Sequence, residues 1–242
     1  MRRPGRQIVR EFSPLSTTGS NQAFAGENAY GLKTTERFPD KLGSAMIRLD
    51  APSCVPALVS LFGRPGAGKT TIGDALAERH GFSHFALGRM LRDPNILAEI
   101  GIDPVAWDCA VESGRTIDDA KLYAWLNGKI ASADRPVVID GYPRVPNALP
   151  HFGKLARQLA RRGSVVALYL ACTPNITAPR IITRARPDDR SVGFDRRNDE
   201  FDRVQLPLIG QLGGRVAVIE VDASSGPGDV VFAVRRRLGL AE

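Results

Sequence analysis

No stretch of this 242-residue chain approaches the roughly 18 consecutive apolar residues that a membrane-spanning helix needs, which argues against a membrane protein. Cysteine is equally sparse. Cys54, Cys109 and Cys172 lie far apart, with no C-x-x-C pair and no Cys/His cluster, so neither a disulfide framework nor a zinc site is indicated. They are expected as buried small hydrophobes in a reducing, cytoplasmic setting. Histidines are too few and too scattered for a metal centre. His80 and His84 stand four apart, but Gly81 between them is expected to end a helix. Aromatics make up 7% of the chain, and no lysine-rich block is interleaved with them. The net charge of +7 therefore reads better as a pocket that collects phosphate groups than as a nucleic-acid surface. The Arg235-Arg236-Arg237 run reads as the solvated face of a terminal helix. Internal repeats are also missing.

What is present divides into two parts. Residues 1–52 are rich in Gly, Ser, Thr, Asn and Pro and keep neither a period of 2 nor one of 3.6, the pattern of a disordered extension. Seven Lys/Arg stand against four Asp/Glu over residues 1–45, and no apolar or amphipathic stretch of a targeting peptide is clear. Residues 53–242 are expected to form one domain. Five short apolar runs stand out: ALVSLFG (57–63), FSHFAL (82–87), PVVIDG (136–141), SVVALYLA (164–171) and VAVIEVDA (216–223). Without strict alternation, such runs suit strands of a parallel sheet buried on both faces. Helical patterns with polar faces lie between them, including 118–131 and 147–163. The expectation is an α/β fold, a five-stranded parallel sheet with helices on both faces. Ligands of such folds gather at the carboxyl ends of the strands.

The sharpest local signal is GRPGAGKTT, residues 63–71, which satisfies G-x-x-x-x-G-K-[ST] at every position. Its glycines let backbone N–H groups curl around phosphate oxygens, Lys69 supplies a point charge, and Thr70 offers a hydroxyl to magnesium. A nucleoside triphosphate is expected here, at the end of the first strand and the start of a helix at Lys69. The second signal is DGYPR, 140–144, at the end of the third apolar run. Asp140 there suits magnesium held through water, and Arg144 suits a phosphate. The third is the arginine-rich segment 180–201, in which Arg180, Arg184, Arg186, Arg190, Arg196 and Arg197 surround Asp188-Asp189. So many like charges at helical spacing are expected to meet an anion.

Taken in this order, GRPGAGKTT, DGYPR and the R-x-D-D…R-R segment resemble the nucleoside monophosphate kinases of the adenylate kinase family. The likeness extends over roughly residues 57–240. It includes ESGRTIDD (112–119), similar to a family stretch that lines the monophosphate pocket and contains Ile117, and also LPLI (206–209) and the last strand. The resemblance implies a P-loop NTPase-type fold and a monomeric enzyme. It implies reversible, Mg2+-dependent transfer of the ATP γ-phosphoryl group to a nucleoside monophosphate. It implies that Gly63, Pro65, Gly66, Ala67, Gly68, Lys69, Thr70 and Thr71 bind ATP, and that Thr70 and Asp140 hold the metal. Arg92 and Arg144 match arginines that grip the acceptor phosphate. Arg184, Arg186 and Arg197 match those that close over the transferring group, with Asp188 and Asp189 positioning them.

Two departures from the family stand out. Three residues separate Arg184 from Asp188, which leaves room only for a very short lid. Where adenylate kinases carry Thr-Gly-Asp before the first acceptor arginine, this chain reads Leu87-Gly88-Arg89. Four residues after Arg144, where they carry Gln, it has Ala148. The acceptor set implied is Leu87, Arg92, Ile117, Gly141, Arg144 and Ala148, with the base-reading polar groups missing. Arg89 is left as either a new base contact or a solvated arginine. Two other readings stay open: a P-loop kinase for another small phosphorylated acceptor, and a nucleotide-binding regulatory module without turnover.

Overall fold

The computed structural model of the chain describes residues 55–112, 119–184 and 191–241, with no side-chain account of 111, 112, 184 and 191–193. The expected extension 1–52, Ile117, Arg186, Asp188, Asp189 and the lid they would form lie outside the described residues, as does the side chain of Arg184.

All five apolar runs are strands: β1 Leu58–Gly63, β2 Ser83–Ala86, β3 Val137–Asp140, β4 Val165–Ala171 and β5 Ala217–Asp222. They form one sheet in the order β2-β3-β1-β4-β5, and every pairing is parallel. β1 is central, with Leu58 in register with Val137 on one side and Val165 on the other. Its six residues are all buried, as a strand covered on both faces must be. β2 differs: Ser83, His84 and Phe85 are only half-buried because this strand is an edge with a single neighbour.

Alternation along each strand splits the core in two. Leu58 and Phe62 of β1 point to one side, where they meet α5 (Ala120–Ala131), α6 (Leu149–Leu159) and α9 (Leu206–Leu212) through Leu126, Phe152 and Leu208. Val59 and Leu61 point to the other, against Ile72 and Leu76 of α1 (Lys69–His80) and Val230 and Val234 of α10 (Pro227–Arg237). Each such side chain removed from water contributes about 1.5–3 kcal/mol.

Helix ends follow local chemistry. Gly81, at φ 69°, closes α1 by donating its N–H to Ala77 O, so the helix does stop between His80 and His84. Asp119 caps α5, accepting the Lys121 N–H at 2.7 Å. The remaining helices are α2 (Leu87–Met90), α3 (Pro94–Ile100), α4 (Pro104–Glu112), α7 (Pro174–Arg184) and α8 (Ser191–Glu200), with a 3-10 turn at Pro146–Ala148 and a π-helical turn at Phe201–Gln205.

Cys54 lies outside the described residues, and the other two cysteines are not the buried hydrophobes expected. Cys109 is exposed, on the outer side of α4 next to the inward-facing Ala110, and Cys172 is half-buried just past the end of β4. Partial burial pushes the Cys172 thiol pKa up, against the pull of nearby Arg180, Lys69 and Arg64. No described helix is long and apolar enough to cross a membrane.

Candidate functional site

Because all strands are parallel, Gly63, Ala86, Asp140, Ala171 and Asp222 end at the same edge of the sheet. The phosphate loop leaves β1 at Gly63 and enters α1 at Lys69. Gly66, at φ 83°, passes so close to α7 that a Cβ would lie 2.9 Å from Thr177 O. Gly68, at φ 91°, turns the chain left-handed into the helix, a geometry that other residues resist. The Lys69 Nζ donates to Gly63 O at 2.8 Å and Arg64 O at 3.1 Å, so the ammonium lies along the loop.

The neighbouring strand brings the second half. β3 lies beside β1, with Leu61 paired to Asp140, and the Thr70 hydroxyl donates to Asp140 Oδ2 at 2.8 Å. A hydroxyl and a carboxylate are hard oxygen donors of the kind that could hold magnesium. Among the described residues there is no group of three His, Cys, Asp or Glu that would form an all-protein cage for a metal.

Beyond Asp140 the chain turns at Gly141, φ 98°, and the Tyr142–Pro143 bond is cis. Tyr142 is anchored twice. Its carbonyl accepts a hydrogen bond from the buried Ser60 hydroxyl, and its phenol donates to Asn127 Oδ1 at 3.1 Å. Asn127 in turn donates to His151 O at 3.0 Å. Burial pushes the Tyr142 phenol pKa well up, and the Asn127 bond opposes that only in part. Asn127 thereby satisfies the hydroxyl of the buried Tyr142. Arg144 then emerges half-buried, its guanidinium 3.8 Å from the Glu200 carboxylate.

These parts surround a cavity of about 530 Å3. Gly63, Pro65, Gly66, Ala67, Gly68, Lys69, Thr70 and Thr71 line it, together with Asp140, Gly141, Arg92, Arg144 and Arg197. Leu87 and Ala148 do not. Both are buried in the core beneath, where Leu87 packs under Gly141. Around Gly141 the cavity is lined instead by Ala86, Gly88, Arg89 and Pro143 with Arg92 and Arg144.

Several participants carry no sequence motif. Arg180, from the arginine cluster, also lines the cavity, and its guanidinium is already engaged. Its guanidinium donates to Ala223 O at 2.8 Å, Ser224 O at 3.1 Å and Ser225 O at 2.8 Å, fixing the loop after β5 that lines the cavity at Ser225. Arg89 is neither free in solvent nor unconstrained. It donates to Asp74 Oδ1 at 2.7 Å, and the same oxygen lies 2.9 Å from His84 Nδ1. Partial burial alone would raise the Asp74 pKa, but the Arg89 and His84 hydrogen bonds outweigh it and hold the carboxyl below its usual value. Arg64, a variable position of the loop motif, reaches across to Asp202. Only its position inside the loop hinted at a role.

A family model described as an AAA domain matches residues 62–192, just over half of the chain. An adenylate kinase of Mesorhizobium japonicum is 30% identical over 165 residues, covering 62% of this chain and 80% of that protein. A probable UMP-CMP kinase 2 of Arabidopsis thaliana is 25% identical over 206 residues, covering 83% of this chain and 77% of that one. Adenylate kinase isoenzyme 5 of Homo sapiens is 24% identical over 234 residues, or 92% of this chain, which spans only 38% of that longer protein.

Proposed function

The chain carries an AAA domain and belongs to the adenylate kinase family of nucleoside monophosphate kinases, and on that premise we propose that it transfers the γ-phosphoryl group of ATP, reversibly and with magnesium, to a nucleoside monophosphate. The observation that carries this is one cavity joining the phosphate loop, the Thr70–Asp140 oxygen pair and the arginines Arg92, Arg144 and Arg197. Two polyanions brought together need charge neutralisation and alignment more than acid–base help. Accordingly, no histidine lines the cavity among the described residues.

In this reading the loop N–H groups and Lys69 hold the β- and γ-phosphates of ATP. Arg92 and Arg144 hold the acceptor phosphate, and Glu200 steadies Arg144. An oxygen of the acceptor phosphate attacks the γ-phosphorus. The bond from that phosphorus to the β–γ bridging oxygen breaks, and ADP leaves with the electron pair. Arg197 meets charge that spreads over the transferring group. The acceptor oxygen is already anionic, so no side chain has to take a proton. Thr70 and Asp140 are the residues that would hold magnesium, which when bound neutralises charge on the β- and γ-phosphates. Arg184, Arg186, Asp188, Asp189 and Ile117 keep the roles that the family likeness implies, as do the monomeric state and the cytoplasmic setting.

The acceptor base is read weakly. Leu87 and Ala148 bring no polar group to the wall, and among the described residues Arg89 is the one polar side chain there besides Arg92 and Arg144. Strong rejection of a wrong base requires hydrogen bonds that it would leave unpaired. AMP is therefore not strongly preferred, and several monophosphates fall within roughly tenfold of one another in kcat/KM. The test is kcat/KM for AMP, CMP, UMP, GMP and their deoxy forms with ATP and magnesium under one set of conditions. Absence of transfer to every one of them overturns the proposed reaction. A lead for AMP of about 10³ or more overturns the account of the base.

A further inference from the structure

Arg64 is the second residue of the phosphate loop, yet its side chain does not line the cavity and binds neither nucleotide in the reading above. It grips instead the junction of α8 with the π-helical turn. Nη1 donates to Asp202 Oδ2 at 2.9 Å, Nη2 donates to Asp202 Oδ1, and Nη1 lies 3.4 Å from Asn198 Oδ1. The guanidinium carbon sits 5.0 Å over the Phe201 ring. Two edges and one face of the group are thus engaged, and only 13% of the side chain is exposed.

Its partners are anchored in turn. Phe201 is fully buried and stacks on Tyr169 of β4 at 6.1 Å, and the buried Asn198 donates to Phe194 O at 3.1 Å. The π-helical turn, in which Leu206 N–H reaches back to Phe201 O, widens the helix where Asp202 meets Arg64. Immediately before it on α8 stand Arg197, which lines the cavity, and Glu200, which faces Arg144. The Arg64 carbonyl meanwhile accepts from Lys69 Nζ at 3.1 Å. One residue therefore touches the donor lysine through its backbone and the helix of the closing arginine through its side chain.

We infer that Arg64 is a positioning residue for phosphoryl transfer: it clamps α8 to the phosphate loop and so holds Arg197 and Glu200 in place at the cavity. The inference rests on the kinase reading. Arg197 acts on charge that develops during transfer, so a loosened α8 weakens the transition state more than the binding of ATP. A misplacement of about 1 Å is enough to lower the rate about 10²-fold.

Arg64→Ala and Asp202→Asn should each lower kcat about 10- to 100-fold while the KM for ATP moves less than about threefold, and the double variant should be little worse than the poorer single one. Arg64→Lys keeps the charge but loses the fork and the stacked plane, so it should stay near the Ala variant, whereas Asp202→Glu should recover part of the rate. Because the Asp202 side chain is 47% exposed, Asp202→Asn tests the clamp even where Arg64→Ala does not fold. A kcat within about threefold of the wild type for Asp202→Asn overturns the inference, as does a change confined to KM. Should the wild type transfer to no monophosphate, the kinase reading fails and the clamp is read by amide hydrogen exchange. A non-hydrolysable ATP analogue with magnesium should then slow exchange over residues 198–205 in the wild type and not in Asp202→Asn. Equal protection in both, or none in the wild type, overturns the clamp.

Discussion

Lys69→Met removes one charge from the phosphate loop and leaves a side chain of similar length. The ammonium is placed by its bonds to Gly63 O and Arg64 O, at the first position of α1 and on the cavity wall. A unit charge about 4 Å from a phosphate charge is worth about 4 kcal/mol at the effective dielectric of a partly exposed site. Most of that counts against free enzyme and ATP, so kcat/KM should lose about 3 kcal/mol or more, roughly 150-fold. Stability should change far less. The Gly63 carbonyl ends the buried strand β1 at the cavity wall and the Arg64 carbonyl lies beside it, so both can rehydrate from the cavity; about 1 kcal/mol bounds the loss, or about 2–4 °C in Tm for a domain of this size. The assay couples ADP formation to a spectroscopic signal with the best acceptor of the panel, beside calorimetry of the same preparation. A variant with Tm within about 4 °C of the wild type and kcat/KM within about tenfold of it would show that this loop is not the donor site.

Two further substitutions probe neighbouring links. Asp140→Asn removes the one carboxylate of the Thr70–Asp140 pair, so the magnesium concentration for half-maximal rate should rise about tenfold or more; an unchanged magnesium titration would remove Asp140 from the metal site. Gly73→Ala places a Cβ about 2.2 Å from His84 Nε2, and the imidazole is pinned by Asp74. The overpacking should lower stability by about 1–3 kcal/mol and Tm by roughly 3–10 °C. His84→Ala in the same chain should restore much of the loss, and equal Tm values for Gly73→Ala and the wild type would refute the close packing.

The phosphate loop and the strands were legible because their constraints are local. A loop that wraps phosphate must spend its glycines and lysine within eight consecutive residues, Gly63 to Thr70. A strand buried on both faces must be apolar along its length, which made runs such as 57–63 and 164–171 legible as strands; the edge strand β2 is the exception among the five. Gly81 likewise ends α1 by its own backbone freedom. The family motifs carried Arg92, Arg144 and Arg197 to the cavity wall by the same route.

What the tertiary structure decided depends on residues far apart in the chain. Nothing in the local pattern around Arg64 distinguishes a phosphate contact from a clamp; its partner Asp202 lies 138 residues away. Ser60 meets the Tyr142 carbonyl across 82 residues, and Arg180 meets the loop after β5 across 43 to 45. The arginine cluster looked like a single anion trap because like charges in sequence repel. In the folded chain Arg180 lines the cavity and also donates to three carbonyls of the loop after β5. Leu87 and Ala148 occupy acceptor positions in the motif but pack inside the core, Leu87 beneath Gly141. Composition and period encode which residues avoid water. Which polar group meets which is settled only when the parallel order β2-β3-β1-β4-β5 brings their strand ends to one edge.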